Sequence, residues 1–523
     1  MRETPVFSTA AVAAPHARAA EIGQSILASG GNAVEAVVAM AATCAVVLPH
    51  LNGLGGDGFF LVREPRGRVH ALDASGPAGT LATIERYRKR EYEIIPAYGP
   101  DAALTIAGVA AGWALALDLA RALGGQLPLD ILMGDAIRLA REGCVIAPSE
   151  GRVPIHPALR DAPLFAATFL VDGKSLPAGT VRRQPKLADT LERLSHAGLA
   201  DFYRGDVGRE IALDLERIGS PILRRDLETY RARVAHPLSI RLRQAEIFSL
   251  PAPTEGIASL LALGIADRLS RGGQRGADDL HRMIEAYKRA HVASRDLVAD
   301  PREIEGDPAD LLAGSHCERE ALQIDAHRAA SLSLSSGVAG TRVWIGCIDK
   351  DGLAVSYEQS VHGPFGSGCV LPTTGILWHN RGAAFSLDAA SNTSLMPGRK
   401  PPHSLNPALA VFADHRVLAF GAKTQVQAQV FSHYAEHGIG LADAVDAPRW
   451  LLARGPAAGA LLRVEDRFDP GLLRALAQRG HEVEEIASYA DDMGQAGMIL
   501  RHPRNGRVEA AHDPRGDGVA MGL

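Results

Sequence analysis

The chain has 523 residues, a formal net charge of −5 and a sequence pI of about 6.4. Hydrophobic residues make up 46% and charged residues 22%, so a chain of this length can bury a sizeable core. Because the chain has no block of basic residues, neither nucleic acid nor an anionic membrane is predicted as a partner.

The five cysteines are odd in number, far apart and without CxxC spacing. That pattern argues against a disulfide framework or a zinc site and favours a reducing compartment. Residues 1–5 show no secretory signal, and the most apolar run, 33–49, contains Glu35 and is too short for a membrane span. A cytoplasmic protein is therefore predicted, with no cofactor and no metal, since no His/Cys/Asp/Glu cluster shows ligand spacing.

The N-terminal segment predicts two helices followed by a glycine-rich turn. Apolar residues recur at helical spacing over 17–48, and Gly30-Gly31-Asn32 interrupts them, with Asn32 able to cap the second helix. Residues 51–58 then form a turn that leads into a predicted strand at 59–62. The turn lacks the Lys-Ser/Thr pair of a phosphate loop and precedes a strand, so a packing or backbone-donor role is favoured over a nucleotide site.

Further along the chain, helices alternate with a polar linker and two hairpins. Amphipathic helices are predicted within 102–148, 185–217 and 257–296, and a flexible linker over 300–340. Two hairpins are predicted, the first around Asp351-Gly352. The first hairpin has strands at 343–348 and 353–357, and the second has strands at 408–412 and 417–420. Two helices are predicted after them, at 428–437 and 441–447. The composition changes near residue 340, which divides the chain into 1–340 and 341–523.

Six motifs occur in one order along nearly the whole chain. They are Ser29-Gly30-Gly31-Asn32-Ala33-Val34, Gly53-Leu54-Gly55-Gly56-Asp57-Gly58-Phe59, Asp349-Lys350-Asp351-Gly352, Phe365-Gly366-Ser367-Gly368, Pro397-Gly398-Arg399-Lys400-Pro401 and Asp446-Ala447-Pro448-Arg449. Together they resemble the gamma-glutamyltransferase family. Leu72-Asp73-Ala74-Ser75-Gly76 and Asn380-Arg381-Gly382 are more similar to its branch of oxamate amidohydrolases and cephalosporin acylases.

The resemblance implies an α+β fold, a four-layer αββα sandwich of the N-terminal-nucleophile hydrolase type. It also implies a precursor that is cut once, so that 1–340 corresponds to a large subunit and 341–523 to a small one within one intertwined domain. The expected partner is a small carboxylate or amide substrate, and a homodimer is a further expectation.

Thr341 is the candidate nucleophile. A threonine at the start of a chain can use its own amine as the base, and Gly340 before it and an apolar strand after it suit self-cleavage. The family places the nucleophile seven residues before the Asp of the Asp-Lys-Asp-Gly turn, and that position is Arg342 here. A one-residue bulge could bring Thr341 into register, or arginine has replaced the nucleophile.

Two further positions bear on that choice. Ser360 falls where the family keeps a hydroxyl beside the nucleophile. The family's paired oxyanion glycines should follow Phe420, but only Gly421 is present, before Ala422-Lys423.

The substrate contacts implied by the family are also altered. Ala384 stands where an acid would hold a glutamyl amine, and no arginine stands beside Ala74–Pro77. Arg381, His403 and Ser404 are candidate contacts for a different small acid. Arg381 can equally form a surface or structural salt bridge, and His403 can be an ordinary histidine with its hydrogen bonds satisfied.

Two hypotheses remain open. In the first, the protein is an amidohydrolase or acylase acting on a small carboxylate-bearing amide after self-cleavage before Thr341, with Ser360 and Gly421 supporting catalysis. In the second, it is an uncleaved, catalytically inactive member of the family that binds a small acid or a partner protein, and Arg342 is a structural or ligand-binding cation.

Overall fold

Two antiparallel sheets of seven strands face each other across an apolar layer, and helices cover their outer faces. The computed structural model describes residues 3–269, 276–334, 340–455 and 459–523. The layer between the sheets includes Phe59 and Trp344 from one sheet and Leu409 and Ile499 from the other, all buried. The predicted αββα order of layers is thus confirmed.

Each sheet takes strands from both sides of residue 340, so the two regions interleave in one body. In sheet I the strand order is β1 (Val6–Phe7), β20 (Val508–His512), β19 (Gly497–Arg501), β15 (Val417–Gly421), β14 (Ala408–Phe412), β11 (Ala245–Ser249) and β10 (Leu238–Arg241). In sheet II it is β21 (Val519–Gly522), β2 (Ala11–Ala14), β12 (Val343–Ile348), β13 (Ala354–Ser360), β3 (Asp57–Arg63), β4 (Val69–Ala74) and β9 (Arg233–Ala235).

The two outer layers are built from the long helices. Those on sheet II are α1 (Ala17–Ala28), α2 (Ala33–Val47), α4 (Val109–Ala122), α5 (Leu129–Glu142) and α9 (Pro185–Ala197). Those on sheet I are α13 (Gly256–Leu269), α14 (Ala277–Ser294), α15 (Gly314–Leu322), α16 (Thr424–Ala435) and α17 (Leu441–Asp446).

Smaller elements complete the fold. The remaining helices are α3 (Ile84–Lys89), α6 (Pro148–Gly151), α7 (Pro157–Arg160), α8 (Pro163–Phe169), α10 (Asp201–Arg204), α11 (Asp206–Ile218), α12 (Arg224–Thr229) and α18 (Pro470–Gln478). The remaining strands are β16 (Trp450–Arg454), β17 (Ala460–Glu465) and β18 (Glu482–Ile486) in one sheet, and the pairs β5 (Cys144–Val145) with β8 (Val181–Arg182) and β6 (Leu170–Val171) with β7 (Lys174–Ser175).

The break between α1 and α2 follows from local chemistry. Gly30 has a φ of +88°, in the left-handed region that favours glycine. Asn32 caps α2 by accepting from the amides of Val34 and Glu35, and Glu35 reaches back to the Asn32 amide. The predicted cap and helix break are both confirmed.

The hairpin of β12 and β13 is tied to α2 by Asp349. Its Oδ2 accepts from the Ala33 amide at 3.0 Å, and its Oδ1 accepts from the amides of Asp351 and Leu353, both at 3.0 Å. The turn carboxylate therefore holds the hairpin and the start of the central helix together.

Three sequence predictions need correction. The predicted linker 300–340 contains α15, whose Cys317 and Ala321 are buried against α13; its Ser335–Ala339 part lies outside the described residues. Helix α16 begins at Thr424 rather than residue 428, because polar packing through Gln427 to Ser259 and Asn406 occupies its first turn. Strand β13 runs on to Ser360, since pairing with β12 and β3 continues past residue 357.

Among the described residues, no helix is both long enough and apolar enough to cross a membrane.

Replacing Asp349 should destabilise the fold markedly. Asp349→Ala leaves three amides without their acceptor, at a site where Asp349 is buried, and we expect a loss of about 3 kcal/mol or more in the free energy of unfolding. Urea denaturation measures it. Asp351→Ala is the matched control: the Asp351 side chain is 70% exposed and pairs with Lys350, which is 72% exposed, so stability should change by less than about 0.5 kcal/mol. Equal losses in the two variants would contradict the role assigned to Asp349.

Candidate active site

Thr341 lies just before β12, beside the end of β13. Its amide donates to the His362 carbonyl at 2.5 Å, and its hydroxyl donates to the carbonyls of His362 and Leu51 at 2.9 and 3.3 Å. Ser360 Oγ donates to the Thr341 carbonyl oxygen at 2.5 Å. The structure therefore brings Thr341 and Ser360 together as predicted, but holds the threonine hydroxyl on two backbone carbonyls.

Arg342 extends into the space between the two sheets. Its Nη1 donates to the Ser404 carbonyl at 2.7 Å and lies 3.5 Å from the Ala422 carbonyl oxygen, and its side chain is 7% exposed. Pairing of β12 with β13 is regular from Val343↔Gln359 to Ile348↔Ala354 and contains no bulge. Thr341 and Arg342 precede β12 and lie outside this pairing, and their contacts differ: Arg342 reaches the Ser404 and Ala422 carbonyls, whereas Thr341 bonds to those of His362 and Leu51.

Arg381, Ser404 and His362 converge on Gly340. Arg381 Nη2 donates to Ser404 Oγ at 3.4 Å, and Nη1 donates to the Pro402 carbonyl at 3.3 Å. A Cβ added to Gly340 would lie 3.0 Å from Ser404 Oγ, 3.2 Å from His362 Nδ1 and 3.7 Å from Arg381 Nη2. The residue before the predicted cleavage point therefore lies against a guanidinium, a hydroxyl and an imidazole.

The surroundings of Arg381 and His362 are unusual. Arg381 is 3% exposed, so it is not a surface residue, and burial lowers its pKa to about 10, which leaves it charged at neutral pH. His362 is a non-glycine residue at a φ of +76°, and burial lowers its pKa well below the ordinary value. Backbone strain of this kind is concentrated at functional sites, which favours a binding role for the cluster.

His403 is hydrogen-bonded to Asp57 and does not face an open cavity. Its Nδ1 accepts from the Leu405 amide at 3.3 Å, so Nε2 carries the proton and donates to Asp57 Oδ2 at 3.3 Å. Asp57 Oδ2 also lies 3.5 Å from His379 Nδ1, and burial raises the Asp57 pKa to about 8. The predicted substrate contact at His403 is therefore a partnered, buried imidazole.

Glu358 is the acid that faces Arg342. Its Oε2 lies 3.6 Å from Arg342 Nη1 and accepts from the Asn406 amide at 2.9 Å. The side chain is fully buried, and burial raises its pKa to about 7. The pair is thus only partly ionic near neutral pH.

Gly421 has a packing role at the end of β15. A Cβ there would lie 2.0 Å from Cδ1 of Trp344, the residue that fills the space between the sheets. The indole donates to Ser356 Oγ, which in turn donates to the Phe420 carbonyl, both at 2.9 Å. A side chain at 421 would displace the indole.

Sequence reasoning missed several members of this cluster, namely Glu358, His379 and Lys423 as well as the role of Asp57. Glu358 directly follows the predicted strand 353–357, and only the longer β13 of the structure includes it. Asp57 lies within a quoted motif. His379 and Lys423 carry no local signal, because only tertiary packing brings them to the site.

The prediction that no metal-ligand cluster exists also needs correction. His281 and Glu285, one turn apart on α14, meet His481, and their potential ligand atoms lie within 4.8 Å of one another. Contacts within the protein already occupy them: His281 Nδ1 lies 2.8 Å from His481 Nε2, and Lys288 Nζ donates to Glu285 Oε1 at 2.7 Å. The cluster is therefore satisfied without an ion.

Comparisons with known proteins agree with this architecture. The chain is 42% identical over 532 residues, covering 100% of both chains, to a protein named oxamate amidohydrolase proenzyme from Klebsiella pneumoniae subsp. pneumoniae. It is 30% identical, again over 100% of both chains, to the glutathione hydrolase-like YwrD proenzyme of Bacillus subtilis. The crystal structure of cephalosporin acylase from Bacillus halodurans superposes with a TM-score of 0.91 at 29% identity, covering 100% of this chain and 97% of that one.

The family assignment rests on the full length of the chain. The gamma-glutamyltranspeptidase family model matches residues 19–523, which include every strand of the two large sheets except β1 and β2. The fold, the order of the motifs and these matches agree, and the chain belongs to the gamma-glutamyltranspeptidase family.

Proposed function

We propose that this protein is an amidohydrolase or acylase of the gamma-glutamyltranspeptidase family, acting on a small amide that carries a carboxylate after the chain is cut before Thr341. The relatives named above support the reaction class. The observation that carries the proposal is the convergence of Arg381, Ser404 and His362 on Gly340, which places a buried cation beside the cleavage point. A substrate carboxylate would pair with that guanidinium.

The proposed chemistry uses the amine that cleavage would free. The amine of Thr341 takes the proton of its own hydroxyl, the oxygen bonds to the amide carbon, and the nitrogen leaves with a proton. Water then hydrolyses the ester and releases the acid. Ser360 would hold the Thr341 carbonyl, and the backbone near Gly421 would face the developing oxyanion. The role requires the Thr341 hydroxyl to leave the carbonyls of Leu51 and His362 after cleavage.

The position of Arg342 favours a second candidate function. Arginine stays protonated and cannot act as nucleophile or base. Here Arg342 stands directly before β12, at the position where the family's spacing would place the nucleophile, and it bonds to the Ser404 carbonyl. In this alternative the chain stays uncleaved and binds a small acid without hydrolysing it.

Self-cleavage separates the two candidates. Intact mass and a denaturing gel of the purified protein should show two fragments, the smaller beginning at Thr341. Thr341→Ala should abolish the cleavage because it removes the hydroxyl, whereas Arg342→Ala should leave it intact. A single uncleaved chain in the wild-type protein, at every age and pH, would contradict the hydrolase and favour the binding protein.

Hydrolysis can be measured directly as ammonia released from oxamate. Arg381→Met removes the proposed partner of the substrate carboxylate, so kcat/KM should fall about tenfold or more, since a hydrogen bond to a charged group contributes roughly 1.5–3 kcal/mol. The exposed Arg68→Met is the matched control and should retain wild-type kcat/KM. Unchanged kcat/KM in Arg381→Met would remove Arg381 from the substrate site.

The Glu358 carboxyl should make stability depend on pH. Its pKa is raised from 4.5 to about 7 in the folded state, so the folded protein binds the proton more tightly than the unfolded chain. The contribution of Glu358 to the free energy of unfolding is therefore greatest below pH 4.5, and it falls by about 3 kcal/mol as the pH rises to about 7. Glu358→Gln should flatten the dependence of the unfolding free energy by that amount, as measured by urea denaturation across this range.

The exposed Glu142→Gln serves as the control for that measurement, because its side chain is 67% exposed. It should keep the wild-type dependence on pH. A Glu358→Gln curve parallel to that of the wild type would show that Glu358 titrates near its ordinary pKa.

A further inference from the structure

A cavity of about 420 Å³ lies at the edge of sheet I, where β10 and α13 both end. It is lined by Arg241, Leu242, Arg243, Asp267 and Arg268. Cavities of this size hold small molecules in many proteins, and none of the five lining residues belongs to the site around Thr341. The cavity therefore gathers three guanidinium groups and one carboxylate outside the candidate active site.

Arg268 is the most firmly held of the three cations. Its Nη1 donates to the Gly264 carbonyl at 3.3 Å and to Asp267 Oδ2 at 3.4 Å. A Cβ added to Gly314 would lie 3.1 Å from Arg268 Nη2, so glycine at that position leaves room for the guanidinium. The Arg268 side chain is 26% exposed, against 82% for Arg241. Arg268 is thus fixed in place before any ligand arrives, which lowers the entropy cost of binding.

The carboxylates beside these cations are too few to match them. Asp267 Oδ1 accepts from the Arg243 amide at 3.4 Å and from Arg243 Nε at 3.2 Å, while Oδ2 accepts from Arg268. Among the described residues, the Nη groups of Arg243 donate no hydrogen bond. Arg241 Nη2 lies 3.8 Å from Glu246 Oε2, which is beyond hydrogen-bond distance. One carboxylate therefore serves two guanidinium groups, and donors of Arg241 and Arg243 remain available.

This arrangement suits an anion with several oxygens. Positive charges around one space repel each other, and an anion between them removes that repulsion. A guanidinium presents its donors as a planar fork that matches a phosphate or a carboxylate group. A phosphate group fits three separate cations better than a carboxylate does, because it offers three oxygens and close to two negative charges. Since the Arg241 and Arg243 side chains are 82% and 55% exposed, such a ligand can enter from solvent.

We propose that Arg241, Arg243 and Arg268 form a binding site for a small phosphorylated molecule. One phosphate group lies on Arg268 and Arg243, and a second phosphate group reaches Arg241. Leu242 is only 8% exposed and offers little apolar surface, so charge and hydrogen bonding carry the recognition. The site depends neither on cleavage before Thr341 nor on hydrolysis of an amide.

Calorimetric titration of the full purified chain with inorganic pyrophosphate tests this site, at pH 7, at low ionic strength and without divalent cations. Acetate, which has a single charge and two oxygens, should bind at least about tenfold more weakly than pyrophosphate. Pyrophosphate affinity should fall as the ionic strength rises, because two of the three cations are largely exposed.

Substitutions at the cavity should shift the affinity in opposite directions. Arg268→Met should lower pyrophosphate affinity about tenfold or more, because it removes the best-held donors. Arg241→Met should lower it several-fold, and this exposed position decides the question if Arg268→Met does not fold. Asp267→Asn should raise the affinity several-fold, because it removes the negative charge that competes with the ligand. The exposed Arg68→Met should match the wild type.

Two results would overturn the site. The first is a wild-type protein that does not bind pyrophosphate or binds it no more tightly than acetate. The second is an adventitious ion only, held by the inner arginines: Arg381→Met would then lose pyrophosphate binding, and Arg268→Met and Arg241→Met would keep it. A chain that is never cut, yet binds pyrophosphate through Arg241 and Arg268, loses the proposed hydrolase and keeps this site.

Discussion

The register of the β12–β13 hairpin decides what chemistry the centre of this protein can carry. Asp349 sets that register by accepting three backbone amides, one of them at the start of the central helix α2. Six consecutive residue pairs follow without a bulge. Just before the strand, the Arg342 side chain bonds to the Ser404 carbonyl, whereas the Thr341 hydroxyl bonds to the carbonyls of His362 and Leu51. Two neighbouring residues at the start of this strand therefore have different surroundings.

Burial of charge is the second constraint. Arg342 and Arg381 lie in the interior, where their nearest acids have raised pKa values and cannot fully compensate them. An interior of this kind favours an anionic ligand, whether or not that ligand is later hydrolysed.

Much of the fold was predictable from the sequence because its signals are local. The helix break at Gly30–Asn32, the Asp351-Gly352 hairpin and the strands predicted at 408–412 and 417–420 follow from turn residues, caps and periodicity. Helix α15 was missed because it is short and polar, and it depends on burying Cys317 and Ala321 against α13. At the site, the sequence indicated Thr341, Ser360, Arg381 and Ser404. It also predicted His403 as a substrate contact, but the hydrogen bond to Asp57 already occupies that imidazole.

The sequence by itself determined the family, the layered fold and the conflict between Thr341 and Arg342, because ordered motifs and residue spacing are properties of the chain alone. Only the tertiary structure decided which of the two residues faces the space between the sheets, since that depends on strand pairing fixed by a distant helix. The structure also decided which acids lie near the two buried arginines. Glu358, Asp57 and Arg381 come from separate strands and loops, and the protonation of each depends on the burial that only folding produces.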